Sequence, residues 1–298
     1  MNAIKKFLPP IVLEIYRNFK PQKDTYQIGK YTISIPPKFA LPLFQKHIKL
    51  YDRFLPVLAK NLPADKIIID VGANIGDTTI ALLQHCTNPI ICFEPSNIFF
   101  PYLEKNLKNL DPIDSERVTT FKNLVGTGLL SGELEHNAAG TANIKVSENL
   151  KLPTHSTLDS KIADSSNVVL IKVDTDGFDF DVIQSAEKIC AESEPLLFWE
   201  NLLNDEIQLE GFPKLYTWLE ARNYKYVYIF DNFGNLITEE IGYNTLRNLN
   251  TYLHSMNANG CTRTFSYVDV LASTEKYQSI ARKAIDEYKQ SWILSKVV

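Results

Sequence analysis

Between Lys66 and Gly76 the chain reads KIIIDVGANIG, and no other stretch limits its fold so tightly. A nearly unbroken apolar run of this kind suits a parallel strand covered on both faces. It leads straight into a turn containing Gly72 and Gly76, where the backbone can bend sharply and approach a ligand closely. In GDTTIALLQHC, which follows, Ile80, Leu83 and Gln84 recur at helical spacing. A strand, a glycine turn and a helix in this order open a doubly wound α/β sheet, whose ligands bind beyond the C-terminal ends of the strands.

The alternation continues to the end of the chain. PIICFEP, RVTTFKNLV, NVVLIKVD, PLLFWEN, KYVYIFDNFGNLI and SYVDVLAS read as strands, the fifth with a turn. Helices are predicted over SNIFFPYLEKNLKNL, where Pro101 falls in the first turn, and over FDVIQSAEKIC, FPKLYTWLEARN and NTLRNLNTYLHSM, with a last one near Tyr277 to Trp292. This pattern predicts one Rossmann-like α/β domain over residues 63–298, with a polar, glycine-bearing loop or hairpin inserted at about 126–151. Residues 1–62 form an N-terminal extension: an amphipathic segment through residue 20, a small hairpin over 25–36 and a helix over 43–60. The amphipathic segment is expected to dock on the protein body or a partner subunit, with peripheral membrane contact as the alternative.

A net charge of −4 and the lack of any Lys/Arg cluster argue against nucleic-acid binding. The four cysteines show no CxxC pair and no metal-ligand run, so a reducing, cytoplasmic compartment is expected. Pro9, Pro10 and Glu14 interrupt the apolar start, which excludes a signal peptide on pattern. No apolar stretch nears the roughly 20 residues of a membrane span.

The turn DVGANIGD also discriminates between nucleotide ligands. A dinucleotide fingerprint needs glycine at its second and third places, where this chain has Asn74 and Asp77. Asp77 would oppose a pyrophosphate at the helix N-terminus, whereas S-adenosylmethionine carries no phosphate and presents a sulfonium and an ammonium. Glu94 follows Asp70 by 24 residues at the end of the second strand, where a carboxylate can accept both ribose hydroxyls. The same residues could also serve as a surface acid and a structural turn; it is their ordered occurrence that favours the cofactor.

IIDVGANIGD with FEPS, TLDS at Thr157 to Ser160, and IKVDTDGFDFDVIQSA at Ile171 to Ala186 resemble the FkbM family of methyltransferases, within the class I methyltransferase fold. The chain has Asp176 and Asp179 where the family pattern usually has Glu, and Ser185 where it has Gly. The resemblance implies a mostly parallel seven-stranded sheet with its last strand antiparallel. It also implies S-adenosylmethionine as cofactor and O-methylation of hydroxyls on sugars or natural products, often in glycan biosynthesis. It places Asp70, Gly72, Asn74 and Gly76, with Asp77 and Thr78 behind them, at the aminoacyl end of the cofactor. Glu94 falls at the ribose, Ser96 and Asn97 at the nucleoside edge, and Asn123 near adenine.

Methyl transfer to an alcohol needs alignment, exclusion of water and a group that takes the hydroxyl proton. Asp174 or Asp176 is expected to be the base or to orient the acceptor, with Glu200 close by on the adjacent strand end. Asp174, Glu200 and Asn201 are also of the type that holds a divalent metal, although helix caps use the same residues. His136 and His155 are alternative bases, and Trp199 and Trp218 are expected in the core. Two other readings are a binding module that keeps the pocket but transfers nothing, and an NAD-dependent oxidoreductase, which Asn74 and Asp77 disfavour.

Overall fold

The computed structural model describes residues 24–128, 132–136, 142–146, 155–258 and 265–295. The amphipathic start of the chain, the side chain of His136 and the rest of the inserted segment lie outside the described residues. The hairpin is β1 (Thr25–Ile28) with β2 (Tyr31–Ser34). Two short helices follow, α1 (Leu41–His47) and α2 (Phe54–Ala59), where the sequence reads as one. Pro56 explains the break: within a continuous helix its ring would clash with the carbonyl of Asp52, and it has no N–H to bond there.

The core then runs β3 (Ile67–Val71), α3 (Asp77–Leu83), β4 (Ile90–Phe93), α4 (Phe100–Lys108), α5 (Pro112–Ser115) and β5 (Val118–Phe121). Next come β6 (Leu124–Val125), the inserted antiparallel hairpin β7 (Gly132–His136) and β8 (Ala142–Val146), β9 (His155–Ser156) and α6 (Leu158–Lys161). The second half is β10 (Val168–Val173), α7 (Asp179–Gln184), α8 (Glu187–Ser193), β11 (Leu196–Leu202) and α9 (Glu206–Glu220). It closes with β12 (Tyr226–Asp231), β13 (Leu236–Ile241), α10 (Tyr243–Ala258), β14 (Tyr267–Ser273) and α11 (Glu275–Ser295).

One sheet of eight strands has the order β13-β12-β14-β11-β10-β3-β4-β5. β5, β4, β3, β10 and β11 are parallel, and the last strand, β14, enters antiparallel between β11 and β12. The sheet therefore has one strand more than the resemblance implied. The cause is local: the Asp231 carboxylate accepts hydrogen bonds from the backbone N–H groups of Phe233 and Asn235, which tightens a turn and returns the chain as β13 on the edge. FDVIQSAEKIC likewise divides into α7 and α8. Asp159 of the TLDS stretch caps the second, accepting from the N–H groups of Lys188 and Ile189, while Thr157 caps α6.

Because side chains alternate along each strand, the sheet has two separate apolar faces. One face packs Ile68, Leu170, Leu196, Leu271 and Phe230 against α2, α3 and α11, and Ile28, Ile33, Phe54 and Leu58 from the N-terminal segment belong to this same cluster. The other face packs Ile69, Ile171, Trp199 and Val270 against α7, α9 and α10. Trp199 is thus core, and Trp218 lies at the margin of this face with the Arg222 guanidinium 3.8 Å from its ring centre. Among the described residues no helix is long and apolar enough to cross a membrane.

The hairpin is fastened to α5 by polar contacts. The Tyr31 hydroxyl donates to Asp114 at 2.5 Å, Arg117 reaches the same carboxylate at 2.6 Å and Lys30 lies 3.1 Å from it. Burial pushes Asp114 up, but the hydrogen bonds from Tyr31, Arg117 and Lys30 outweigh it and hold the carboxyl at about 2. A depressed folded-state pKa means stability that is present above the ordinary carboxylate value and lost as pH falls through about 2. Asp114→Asn is therefore expected to cost roughly 2 kcal/mol at neutral pH, with the gap to wild type closing as the medium is acidified toward the folded value. Urea unfolding across that range checks it.

Candidate active site

Where the C-terminal ends of β3, β4, β10 and β11 meet the N-terminal end of β14, the structure holds a cavity of about 350 Å³. Its far wall is the stretch between α1 and α2, including Leu50, Tyr51 and Asp52. The Leu50 carbonyl comes so close to Gly234, in the β12–β13 turn, that a Cβ on Gly234 would meet it at 2.2 Å. The Tyr288 hydroxyl donates to the Gly234 carbonyl at 2.7 Å, which helps lock the two segments together.

The floor is the turn after β3. Gly72 has φ of +74°, and a Cβ there would lie 1.8 Å from the backbone carbonyl oxygen of Asp174, so the ends of β3 and β10 meet through a gap only glycine leaves. Asn74 also adopts positive φ, at +51°, which asparagine tolerates better than most residues. Its N–H donates to one Glu94 carboxylate oxygen at 2.8 Å, and the Ser96 N–H donates to the other at 2.8 Å. Each oxygen keeps capacity for a further donor, so the carboxylate is fixed yet able to take a pair of vicinal hydroxyls. Burial raises the Glu94 pKa above its ordinary value, while the Ser96 and Asn74 N–H groups pull it back.

Below this turn sits an ion triad. The Lys172 ammonium is 3.0 Å from Asp70 and 3.6 Å from Asp174, and it donates to the Gly72 carbonyl at 3.2 Å. Asp70 accepts a second bond from the Thr79 hydroxyl at 2.6 Å. Burial disfavours the lysine's charge, but Asp70 and Asp174 outweigh it and hold Lys172 protonated, its pKa raised above the ordinary value. At the start of α7, the Asp179 carboxylate accepts from Thr175 N–H and from Glu200 N–H at 2.9 Å, clipping the end of β10 to that of β11.

Of the residues expected at the site, the structure brings Gly72, Asn74, Asp77, Thr78, Glu94, Asn123, Asp174, Asp176 and Glu200 to the cavity wall. Asp70 and Gly76 lie outside that wall. Asp70 is wholly buried under the turn, and Gly76, at φ +86°, starts α3 with its α-carbon against Leu103. Ser96 is buried, its hydroxyl accepting from the N–H groups of Ile98 and Phe99, and Asn97 is exposed; Pro95 and Phe99 line the cavity in their stead.

Asn201 departs from the expected metal set for a simple reason: it follows Glu200 on a strand and so points to the opposite face. There its carbonyl oxygen accepts from Tyr216 at 2.5 Å and its amide donates to Asn250 at 2.7 Å, inside the core. Asp174, Glu200 and Asn201 are therefore not assembled, and among the described residues no three His, Cys, Asp or Glu side chains are grouped as metal ligands. His155 is half-buried beside Gly126 and Gly128, away from the cavity wall.

Sequence reasoning missed Lys172, Tyr51, Asp52, Tyr267 and Asp269, all on the cavity wall. For Lys172 and Asp269 a signal was there: each is a lone charge in an otherwise apolar strand, VVLIKV and YVDVLAS. Nothing in the pattern of residues 48–53 foretells that they wall a cavity.

The cavity fits S-adenosylmethionine. The bare backbone at Gly72 leaves room for the aminoacyl end, Glu94 suits the ribose, and Asp77 and Asp174 suit its positive charge. Burial holds the Asp77 carboxyl up at about 6, partly offset by Lys172, so a cation nearby would be welcomed and a phosphate opposed. The sheet order, with its antiparallel strand set between β11 and β12, and this site at the first turn define a class I methyltransferase, the S-adenosylmethionine-dependent class.

The sequence profile of the Methyltransferase FkbM domain family matches residues 70–226, just over half of the chain, and the chain belongs to that family. Among solved structures it is similar to the methyltransferase FkbM from Methylobacillus flagellatus, at 13% identity and a TM-score of 0.45 over 78% of this chain and 58% of that one. The chain thus spans less than two thirds of that protein. It is also similar to an O-methyltransferase from Bacillus cereus solved with S-adenosylhomocysteine, at 12% identity and a TM-score of 0.45 over 91% of this chain and 100% of that one. A precorrin-6y C5,15-methyltransferase from Geobacter metallireducens aligns at 11% identity and a TM-score of 0.39 over 74% and 86%. No curated protein matches the sequence.

Gly72→Ala tests the close approach at the floor. The added carbon meets backbone, which cannot step aside as a flexible side chain would, and the residue must hold positive φ. The variant is expected to lose more than about 1 kcal/mol of stability and to bind S-adenosylhomocysteine at least roughly tenfold more weakly. Thermal unfolding and calorimetry read the two effects separately.

Proposed function

We propose that this methyltransferase transfers its methyl group to a hydroxyl of a sugar, a glycan precursor or another small hydroxylated metabolite. The observation that carries this reading is the juxtaposition of the Gly72–Glu94 nucleoside site with Asp174, Asp176 and Glu200 on the wall of one cavity. Carboxylates accept hydrogen bonds from hydroxyls, and Tyr51, Tyr267 and Phe233 offer flat apolar surface on the same wall.

In this reading Gly72, Asn74, Asp77, Thr78 and Glu94 hold the cofactor, with Asn123 beside its base. When bound, S-adenosylmethionine supplies an electrophilic methyl group on a sulfonium. The chain's own residues then do the rest: they align the acceptor oxygen, keep water away, and receive its proton on a carboxylate at the β10 or β11 end. Lys172 keeps Asp174 fixed beside the Gly72 turn, which suits Asp174 to orienting the acceptor.

Further expectations belong to the same proposal. The catalytic domain begins near residue 63, although the N-terminal segment shares its core. The partner is a small-molecule or glycan acceptor rather than nucleic acid, and the compartment is the cytoplasm, consistent with Cys86, Cys92 and Cys190 as free thiols.

Calorimetric titration tests the cofactor assignment: S-adenosylhomocysteine should bind and NAD should not. Glu94→Ala should weaken S-adenosylhomocysteine roughly tenfold to a hundredfold, the weight of one charge-assisted hydrogen bond at about 1.5–3 kcal/mol. Binding of NAD, or affinity unchanged in Glu94→Ala, would refute the assignment.

A further inference from the structure

β11 and β14 pair antiparallel, with Glu200 directly opposite Asp269. Residues directly opposite share a face of the sheet, with Cβ atoms roughly 4.5–5.5 Å apart, and like charges so placed repel. Both side chains line the cavity, on the same face as Leu271 and Phe198. The Oε2 atom of Glu200 is buried and has no hydrogen-bond partner. An ionised carboxylate left in that position would be uncompensated, which a folded protein avoids by keeping a proton there.

The surroundings supply little positive charge. From the turn after β10 and the start of α7, Asp174, Asp176 and Asp179 face Glu200; from β12 and the far wall, Asp231 and Asp52 face Asp269. The phenols of Tyr51 and Tyr267 adjoin both acids and are themselves raised well above the ordinary value, by burial first. Lys172 is engaged by Asp70 and Asp174, and Arg53 lies exposed on the far wall. Burial accordingly pushes both carboxyls well above the ordinary range, with Asp174 the largest electrostatic contributor to each.

Position in the sheet gives the pair its task. The nucleoside site sits over β3 and β4, and β11 and β14 lie two and three strands further on, roughly 10 and 14 Å away at the usual spacing. A methyl donor seated at Gly72 and Glu94 leaves this end of the cavity to the acceptor.

We propose that Glu200 and Asp269 form one proton-sharing carboxyl pair at the acceptor end, and that the pair takes up the proton lost by the acceptor hydroxyl. This rests on the methyltransferase reading of the cavity. The proton on the acceptor oxygen passes to the ionised member of the pair, and the oxygen's electron pair forms the new C–O bond. The electrons of the cleaved S–C bond stay on sulfur, so the pair gains the single proton that the reaction releases. Asp174, by contrast, is half-exposed and tied to Lys172, and its part is to position.

Carbon-13 NMR of side-chain carboxyls in the full chain, titrated with and without S-adenosylhomocysteine, tests the pair without needing the acceptor. In the wild type one member should titrate well above the ordinary carboxylate range. Asp269→Asn should lower the Glu200 midpoint by about one pH unit or more, and Glu200→Gln should do the same to Asp269, because each removes a like charge. Midpoints that stay put in both variants overturn the pair. Should Glu200→Gln fail to fold, the Glu200 signal in Asp269→Asn decides alone. Coupled titration in a protein that does not bind S-adenosylhomocysteine strikes the methyltransferase reading, and with it the pair's task, while leaving the shared proton in place.

Discussion

The Lys172 ammonium is the contact on which the site depends. It is buried, it neutralises Asp70 and Asp174 together, and it holds the Gly72 carbonyl. Without it the buried Asp70 carboxylate would be left as an unpaired charge in the interior, which costs several kcal/mol. The pairing of β3 with β10 carries Gly72 against the Asp174 backbone, and the turn so formed sets Asn74 where its N–H reaches Glu94. Sheet, turn and nucleoside site are in this sense one electrostatic unit.

Much of the fold was legible because it rests on apolar runs. IIIDV, VVLIKV and LLFWENL read as buried strands and are so, and the first glycine turn singled out in the sequence lines the cavity. What escaped was local competition. Pro56 splits a periodicity that looks continuous, and the Asp231 turn adds an eighth strand where the pattern showed only a turn. The same limit applies to the site. Glu94 and Gly72 were readable from their order, but Ser96 and Asp70 turned inward, as a cap and an ion partner, for reasons that lie in three dimensions.

Strand parity separates residues that sit side by side in the sequence. Glu200 and Asn201 are adjacent in sequence, which looks like one functional pair, yet on a strand adjacency means opposite faces. Asn201 accordingly belongs to a buried polar network with Tyr216 and Asn250 that braces β11 against α9 and α10. Parity also joins Glu200 to Asp269, 69 residues later, through the ladder. Residues 48–53 read as part of one helix, yet they form a turn region that Gly234, Tyr288 and the stacking of Tyr51 on Phe44 help to hold in place.

The far wall, held by Leu50 against Gly234, lies outside the span that matches the family, as do Tyr267 and Asp269 beyond its other end. The proposed acceptor end thus draws on the matched span, through Asp174, Asp176 and Glu200, and also on stretches of chain outside it. Drift in the outer stretches can reshape what is methylated while the grip on the donor is inherited intact. Two relatives alike across the shared span can therefore still differ in the acceptor they take, with part of that divergence lying in the flanks.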